Sequence, residues 1–343
     1  MDVSQHELEV RYAGEVSADG ARLIAAKHVP DALFKLGLIH PKDRLVLFAD
    51  DFQDAFTERF PRESLFFVSA PTVEAFTAVP HAMTGEGPTF WFVNAIGGRG
   101  LRVPDLRALA VAAHAAGALL IVDNTVPSLF GCRPLALGAD LYLEALDRVA
   151  AGDLRRKTVA VAWLGARHRT KAAVCLKKGV SEYSFLSHNA VFAEGDAEGA
   201  PLEADDLAAV AYGLDSLSVR MQRHFDHARA IAKYLSCCDV IPGVSYPELA
   251  SHPDHAAAAN TLLHGYGPAV DFELPAHAAA GAFIERCRLN GRGCPAGGPH
   301  TRLSARDGDD ARFIRLFAGL DDPLAIADDL DQALRWFCNP PEP

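Results

Sequence analysis

One seven-residue run, ALLIVDN at 118–124, constrains the fold of this chain more than any other stretch. Its first five residues are apolar, which is typical of a strand buried on both faces of a parallel sheet. A helical pattern, VPDLRALAVAAHAAG, precedes it, and the β-branched and aromatic run PTFWFVNA precedes that helix. Strand, helix and strand in this order imply a right-handed crossover. We therefore predict an α/β fold with a parallel sheet.

The acid that ends this run, Asp123, is the first candidate site residue. Ligands of open α/β sheets bind beyond the carboxyl ends of the strands, so a carboxylate there points into the binding crevice. An aspartate at a strand end also serves as a turn or helix-capping residue. Periodicity alone leaves both interpretations open.

The patterning continues along the rest of the chain. Residues 18–51 indicate helix, turn and strand, and TVAVAWLGA (158–166) and AAVCLKKG (172–179) indicate two further strands. The polar, acidic run at 194–206 is a candidate domain boundary. After it we predict a long amphipathic helix with a break near Gly213, then an α+β region built from these segments: strand PAVDFELP, helix AAAGAFIERCRLN, and strand–turn–helix FIRLFAGLDDPLAIADDLDQALRWF.

Composition excludes several classes of partner. The net charge of the 343 residues is −11 and there is no Lys/Arg-rich run, so we expect neither nucleic acid nor an anionic membrane as partner. No stretch reaches the roughly 18 apolar residues of a membrane span, and the acidic first residues predict no signal peptide. Seven scattered cysteines without a C-x-x-C pair indicate reduced thiols in a cytoplasmic protein.

Spacing alone provides no chemistry beyond Asp123. GGRG at 97–100 lacks the spacing of a dinucleotide fingerprint and is typical of a loop. His224 and His227, like His252 and His255, have i, i+3 spacing without a third ligand nearby, so we predict no metal site. There is no G-x-S-x-G elbow and no P-loop. Cys132 and Tyr142 are the nearest reactive types to the strand end, and we expect both to be structural.

Three segments in order resemble one enzyme family: DLRALAVAAHAAGALLIVDNTVPSLFGCRPLALGADLYL, the stretch from SLSVRMQRHFDHARAIAKYL to GPAVDFEL, and IRLFAGLDDPLAIADDLDQAL. The family is the Cys/Met-metabolism group of pyridoxal-phosphate (PLP) enzymes, which includes cystathionine synthases and lyases and methionine lyases. The resemblance implies the fold type I PLP-transferase architecture, a large mostly parallel sheet domain plus a smaller C-terminal α+β domain. The expected domains are a remnant N-terminal arm (1–18), a large domain (19–205) and a small domain (206–343).

Two of the family's site residues are retained. Asp123 matches the acid that pairs with the pyridine nitrogen of PLP, and a carboxylate there keeps the ring protonated as an electron sink. Arg315, in IRLFAG, matches the arginine that binds the substrate α-carboxylate, for which its planar fork is suited. These roles are implied by the resemblance.

The cofactor-linking lysine of the family falls on Arg148. An imine requires a neutral amine, whereas a guanidinium stays protonated and is a poor nucleophile. The hydroxyl residues that hold the cofactor phosphate fall on Ala145 and Asp147. Lys157 is the nearest other lysine, and we expect it on a later strand, as a poor substitute.

The family's Ser-Gly-Met phosphate loop, at a helix start, falls on Asp19, Gly20 and Ala21. Asp19 and Asp147 would each place a carboxylate beside the phosphate. A like-charge pair at about 4 Å costs on the order of 4 kcal/mol at an effective dielectric near 20, unless Arg22 or Arg148 neutralises it.

Further differences affect the ring and the neighbouring subunit. The tyrosine that stacks on PLP falls on Phe52, which retains stacking but not the phenol. The asparagine of the family's Ser-Asn-Pro turn falls on Gly98. The arm that reaches the neighbouring subunit's phosphate site is nearly absent, and the segment around PAGG (295–298) is shortened.

The sequence thus predicts a family homologue without covalent PLP, acting as a non-catalytic scaffold or regulatory subunit that assembles as a homodimer or homotetramer or with an active paralogue. The alternative is a PLP-binding or PLP-independent enzyme that uses the Asp123/Arg315 pocket, and a third hypothesis is a sensor that holds a small carboxylate on Arg315. Because a buried unpaired carboxylate is unfavourable, we also predict that Arg148 pairs with Asp123 or with Asp147.

Overall fold

The computed structural model describes residues 3–26, 28–48, 53–79, 87–148, 150, 152, 157–164, 202–288, 291–292, 298–306 and 311–338. Within these residues the chain forms two β-sheets with helices packed against them. Phe52, the predicted strand at 172–179 and most of the PAGG segment lie outside the described residues.

The larger sheet has seven strands in the order β1-β7-β6-β5-β4-β2-β3. Strands β2 to β6 pair in parallel, whereas β7 is antiparallel to both β6 and β1. The predicted mostly parallel α/β sheet is therefore confirmed. The strands are β1 (Gly20–Ala25), β2 (Arg44–Phe48), β3 (Leu65–Phe67), β4 (Thr89–Asn94), β5 (Ala118–Asp123), β6 (Leu141–Ala145) and β7 (Thr158–Trp163).

The crossover predicted around the apolar run is present. Helix α5 (Leu106–Ala115) joins β4 to β5, and the side chain of Asp105 caps its first turn by accepting from the Ala108 N–H at 3.0 Å. Its apolar face is buried, and all six residues of β5 are buried as the continuous apolar run predicts. The other helices of this region are α1 (Gln5–Glu15), α2 (Val29–Lys35), α3 (Gln53–Thr57), α4 (Val73–Thr77) and α6 (Ser128–Gly131).

The N-terminal segment forms helix α1, which packs against the large sheet. A capping box between Ser4 and Glu7 starts α1. Leu8 and Tyr12 lie on one face of this helix and are buried in the same apolar cluster as the sheet. The division at residue 18 stays a prediction.

The smaller sheet has the strand order β10-β11-β12-β9-β8 and is mainly antiparallel. Its elements follow the α+β pattern predicted for the C-terminal part. They are β8 (Gly243–Ser245), α8 (His255–Thr261), β9 (Ala269–Glu273), α9 (Ala280–Arg286), β10 (Gly291–Arg292), β11 (Arg302–Arg306), β12 (Phe313–Phe317) and α10 (Pro323–Cys338).

Helix α7 (Ala204–Ser236) connects the two regions. It runs for 33 residues without interruption, so the break predicted near Gly213 is wrong. A single glycine inside a helix costs only about 1 kcal/mol relative to alanine, and the apolar residues on either side of Gly213 stay on one buried face. The first two-thirds of α7 pack in the core of the large sheet, and residues 228–235 pack in the core of the small sheet.

The apolar core consists of three clusters. Two of them lie on opposite faces of the large sheet, because alternate residues of each strand, such as Leu120 and Ile121, point to opposite sides. The third cluster lies between the small sheet and its helices. None of the helices in the described part of the chain combines the length and apolarity that a membrane span needs.

Candidate functional site

Strands β4, β5 and β6 end at one edge of the large sheet, called here the carboxyl edge. Asn94 and Asp123 are register partners at the ends of β4 and β5. Oδ1 of Asp123 accepts hydrogen bonds from the Thr125 N–H (2.9 Å) and hydroxyl (2.5 Å), and Oδ2 lies 3.5 Å from Nδ2 of Asn94. Asp123 is buried. It therefore closes its own turn, as one of the two sequence interpretations predicts, and also lies at the carboxyl edge.

Arg148 lies in the turn that follows β6 at the same edge. Its Nε is 3.7 Å from Oδ2 of Asp147, and Nζ of Lys157 is 3.0 Å from the same oxygen. Burial raises the pKa of Asp147, while the two neighbouring cations act in the opposite direction. The prediction that Arg148 pairs with Asp123 or Asp147 is confirmed for Asp147.

Lys157 was expected on a later strand, but it directly precedes β7 and lies close to this turn. Its Nζ donates to Oδ2 of Asp147 at 3.0 Å. Ala145 is the last residue of β6, and its carbonyl accepts from the Arg148 N–H at 3.1 Å. The carbonyl of Arg148 accepts from the Gly298 N–H at 3.0 Å, which ties the turn to the C-terminal region.

The expected phosphate loop at Asp19, Gly20 and Ala21 is wrong in both structure and place. Gly20–Ala25 is strand β1, and the next helix begins at Val29. Because β1 and β6 both pair antiparallel with β7, Gly20 lies at the amino end of β1, in the register row of Trp163 and Leu141. Three strand spacings separate β1 from β5, which places Gly20 about 14 Å across the sheet from the strand that carries Asp123.

Other contacts explain why these residues form a strand. Leu23 and Ile24 are buried on the two faces of the sheet, and a Cβ added to Gly20 would overlap the indole of Trp163. Arg22, the expected neutraliser of a site carboxylate, forms an ion pair with Glu9 of α1 at 3.1 Å. Gly20 is therefore required for indole packing, and Asp19 is not beside the carboxyl edge.

Arg315 is buried on β12 directly opposite Asp271 on β9. Its Nε and one terminal nitrogen donate to the two oxygens of Asp271 at 2.7 and 2.8 Å, and that terminal nitrogen also donates to the carbonyl of Gly98 at 2.6 Å. The guanidinium predicted to hold a ligand carboxylate thus binds a carboxylate of its own chain. Removing one member of a buried ion pair typically costs about 3–5 kcal/mol.

The loop that contains Gly98 is held to the small sheet by further contacts. The carbonyl of Gly100 accepts from the Ser245 hydroxyl (2.7 Å) and lies 2.9 Å from Nε2 of His252. Arg102 donates to both oxygens of Asp254 at 2.5 and 2.9 Å. Burial raises the pKa of Asp254, but hydrogen bonds from Arg102 and from the Val103 N–H outweigh burial and lower it. The loop is therefore joined to the C-terminal region by the Arg102–Asp254 pair and by the backbone contacts of Gly98 and Gly100 with Arg315 and Asp271.

A buried polar cluster around Glu144, on the face of the large sheet opposite to that of Asp123, was not predicted from the sequence. Oε2 of Glu144 accepts from the hydroxyls of Tyr12 (2.6 Å) and Tyr142 and from the Leu129 N–H (3.1 Å). Burial raises the pKa of Glu144 to about 7, although these donors act to lower it. A glutamate in the otherwise apolar strand LYLEA was the available signal. The structural role expected for Tyr142 stays a prediction.

Cys132 and the paired histidines also have structural contacts. Burial raises the pKa of the Cys132 thiol to about 12, so it is not a ready nucleophile. Nδ1 of His224 lies 2.6 Å from the Ala318 carbonyl, and Nδ1 of His227 lies 2.9 Å from that of Gly319. Among the described residues, no group of three or more His, Cys, Asp or Glu side chains is placed to hold a metal ion.

Comparison with known proteins shows the family. The model of the Cys/Met metabolism PLP-dependent enzymes matches residues 53–335. The chain belongs to this family. It is 31% identical over 259 residues to a putative cystathionine gamma-lyase of Streptomyces coelicolor, covering 73% of this chain and 60% of that protein. It is 30% identical over 287 residues to O-acetyl-L-homoserine sulfhydrylase 1 of Thermus thermophilus, covering 74% and 67%.

Solved structures of the family agree with the fold. Apo CalE6, a methionine gamma lyase from Micromonospora echinospora, superposes with a TM-score of 0.77 at 26% identity, over 96% of this chain and 85% of that one. The metB protein of Corynebacterium glutamicum, at 23% identity, shows the same fold with a TM-score of 0.76, over 96% and 84%. Fold type I is therefore confirmed.

PLP is the cofactor of this Cys/Met-metabolism family, and an arginine at the family's lysine position, which the resemblance implies for Arg148, would not fit its covalent attachment. Arg148 cannot form an imine, and Lys157 is ion-paired with Asp147. Electrostatic repulsion of a phosphate is weaker than the sequence predicts, because Asp19 precedes the amino end of β1 and Asp147 has two cations beside it. The mismatch that the resemblance implies is therefore at the imine and not at the phosphate.

Proposed function

We propose that this chain is a Cys/Met-metabolism family member that has lost covalent PLP catalysis and acts as a non-catalytic scaffold or regulatory subunit. The proposal is supported by the resemblance, which assigns the family's lysine position to Arg148, and by the ion pair that holds Arg148 beside Asp147. The intact apolar cores on both faces of the large sheet support a continuing requirement for the fold.

The first test is a PLP titration of the purified protein, followed by visible absorbance and by borohydride reduction with mass spectrometry. We expect no imine chromophore and no reduced lysine adduct. The Arg148→Lys variant, treated in parallel, is the control that shows an adduct is detectable. A wild-type adduct at Lys157 or another lysine would refute the loss of covalent chemistry, and lyase activity on cystathionine and methionine would then be assayed.

The scaffold role has its own test. We propose a homodimer or homotetramer, or an assembly with an active family member from the same genome. Light scattering of the purified chain measures the first, and co-expression followed by tandem purification measures the second. Co-purification with a change in the active member's kcat or KM supports a regulatory subunit. A monomer that neither co-purifies nor alters that activity counts against the scaffold role.

The second candidate, an enzyme or sensor that uses the Asp123/Arg315 pocket, has one observation in its favour. Arg148 and Lys157 flank a single carboxylate at the carboxyl edge, so their combined charge favours a phosphate or another anion there. Free PLP held without an imine fits this description. Equilibrium dialysis with PLP, with Lys157→Met as the comparison, separates such binding from none.

A further inference from the structure

The ion pair between Arg315 and Asp271 has the geometry that a bound carboxylate ligand would have. The two side chains lie opposite each other on neighbouring antiparallel strands, and they are only 3% and 0% exposed. Asp271 engages Nε and one terminal nitrogen of the guanidinium with its two oxygens. This fork-to-carboxylate arrangement is the one by which arginine recognises carboxylates in general.

The backbone of Gly98 and Gly100 also holds both the guanidinium and the carboxylate in place. The Gly100 N–H donates to Oδ2 of Asp271 at 2.9 Å, and Arg315 donates to the Gly98 carbonyl at 2.6 Å. A ligand carboxylate that displaced Asp271 would leave a fully buried carboxylate without its arginine. Such a group is strongly disfavoured, so an incoming carboxylate cannot easily compete for Arg315.

We propose that Asp271 is a specificity-determining residue, an internal carboxylate that occupies the arginine expected to hold a substrate's α-carboxylate. Arg315 therefore does not bind the α-carboxylate of a free amino acid, and the chain discriminates against ligands whose recognition needs this arginine. This inference deepens the proposed function and rests on it, since the proposed function already removes amino-acid chemistry from the site.

The test compares binding of L-methionine and of acetate to three proteins by isothermal titration. Wild type is expected to show no saturable binding of either probe at millimolar concentrations. Asp271→Ala, which removes the internal carboxylate, is expected to gain saturable acetate binding. Asp254→Ala is the matched control, because it breaks the neighbouring Arg102–Asp254 pair without vacating Arg315. It is expected to bind neither probe.

Asp271→Asn keeps the volume of the side chain and serves where Asp271→Ala does not fold, as judged by circular dichroism. It is expected to gain acetate binding, because an amide is a poorer partner for the guanidinium than the native carboxylate is. The gain is expected to be smaller than for Asp271→Ala, because the amide still fills the position. Saturable binding of L-methionine to wild type overturns the proposal, and so does a folded Asp271 variant that binds no acetate. Neither result depends on a borohydride-trapped adduct, so the outcome is separate from the loss of covalent PLP.

Discussion

Arg315 and Asp271 face each other across strands β12 and β9, 44 residues apart in the chain, and are joined by two hydrogen bonds of 2.7 and 2.8 Å. We predict that Asp271→Ala lowers the free energy of unfolding by about 3–5 kcal/mol, because a buried guanidinium is left without its counter-ion. The double variant Asp271→Leu with Arg315→Met is expected to be less destabilised than Asp271→Ala. Urea unfolding measures both, and a change below about 1 kcal/mol for Asp271→Ala would contradict the prediction.

Arg148→Lys should introduce an amine that reacts with PLP. We expect a reduced adduct at residue 148 after borohydride treatment, identified by mass spectrometry. Adding Ala145→Ser and Asp147→Thr supplies two hydroxyl donors for a phosphate, each contributing about 0.5–1.5 kcal/mol. The triple variant should therefore bind PLP about tenfold or more tightly than the single variant. Lys157→Met in the same background is the control, and an adduct that disappears with it would show the wrong lysine had reacted.

Glu144 predicts a pH dependence of stability. Its pKa is raised by burial from the ordinary 4.5 to about 7. Between these values the folded protein binds more protons than the unfolded chain, so stability falls as pH rises. The difference corresponds to about 3 kcal/mol at most.

Glu144→Gln removes this titration, so the part of the pH dependence of stability that Glu144 causes should disappear. Free energies of unfolding for wild type and Glu144→Gln, measured from pH 5 to pH 8, give the comparison, in which the other titrating groups cancel. We expect the variant to gain stability relative to wild type across this range. A difference that stays constant with pH would show that Glu144 does not titrate as described.

Gly20 is predicted to be intolerant of substitution for a packing reason. Gly20→Ala forces the indole of Trp163 to move, and overpacking of this kind typically costs about 1–3 kcal/mol. Gly14 is the matched control, since an added Cβ there meets no atom within 4 Å. Gly14→Ala, inside α1, should stabilise by about 0.5–1 kcal/mol. Thermal unfolding distinguishes the two, and equal effects would argue against the Trp163 contact.

The sheet around Asp123 could be predicted because its signals are local. Five consecutive apolar residues, a capped helix before them and a glycine stop define the strand–helix–strand unit without reference to the rest of the chain. The run TVAVAW likewise identified β7. The family resemblance then predicted that the lysine position falls on Arg148.

The errors arise where a residue's environment is set by distant partners. Asp19-Gly20 resembles a helix start locally, and only its pairing with Trp163, far along the chain, makes it a strand. The partner of Arg315 depends on the register of two strands, and Glu144 meets Tyr12 across 132 residues. The isolated acids in VDFEL and LYLEA were the sequence signals, but neither segment identifies the partner residue of its acid.

Helix α7 has a consequence for how the protein unfolds. At about 1.5 Å per residue its 33 residues extend for about 50 Å, and its two ends belong to different apolar cores. A protease cut or a gene truncation at its centre would remove buried helix residues from both cores at once. Neither half of the chain can therefore be excised as a free-standing unit, and the two predicted domains should melt in a single transition.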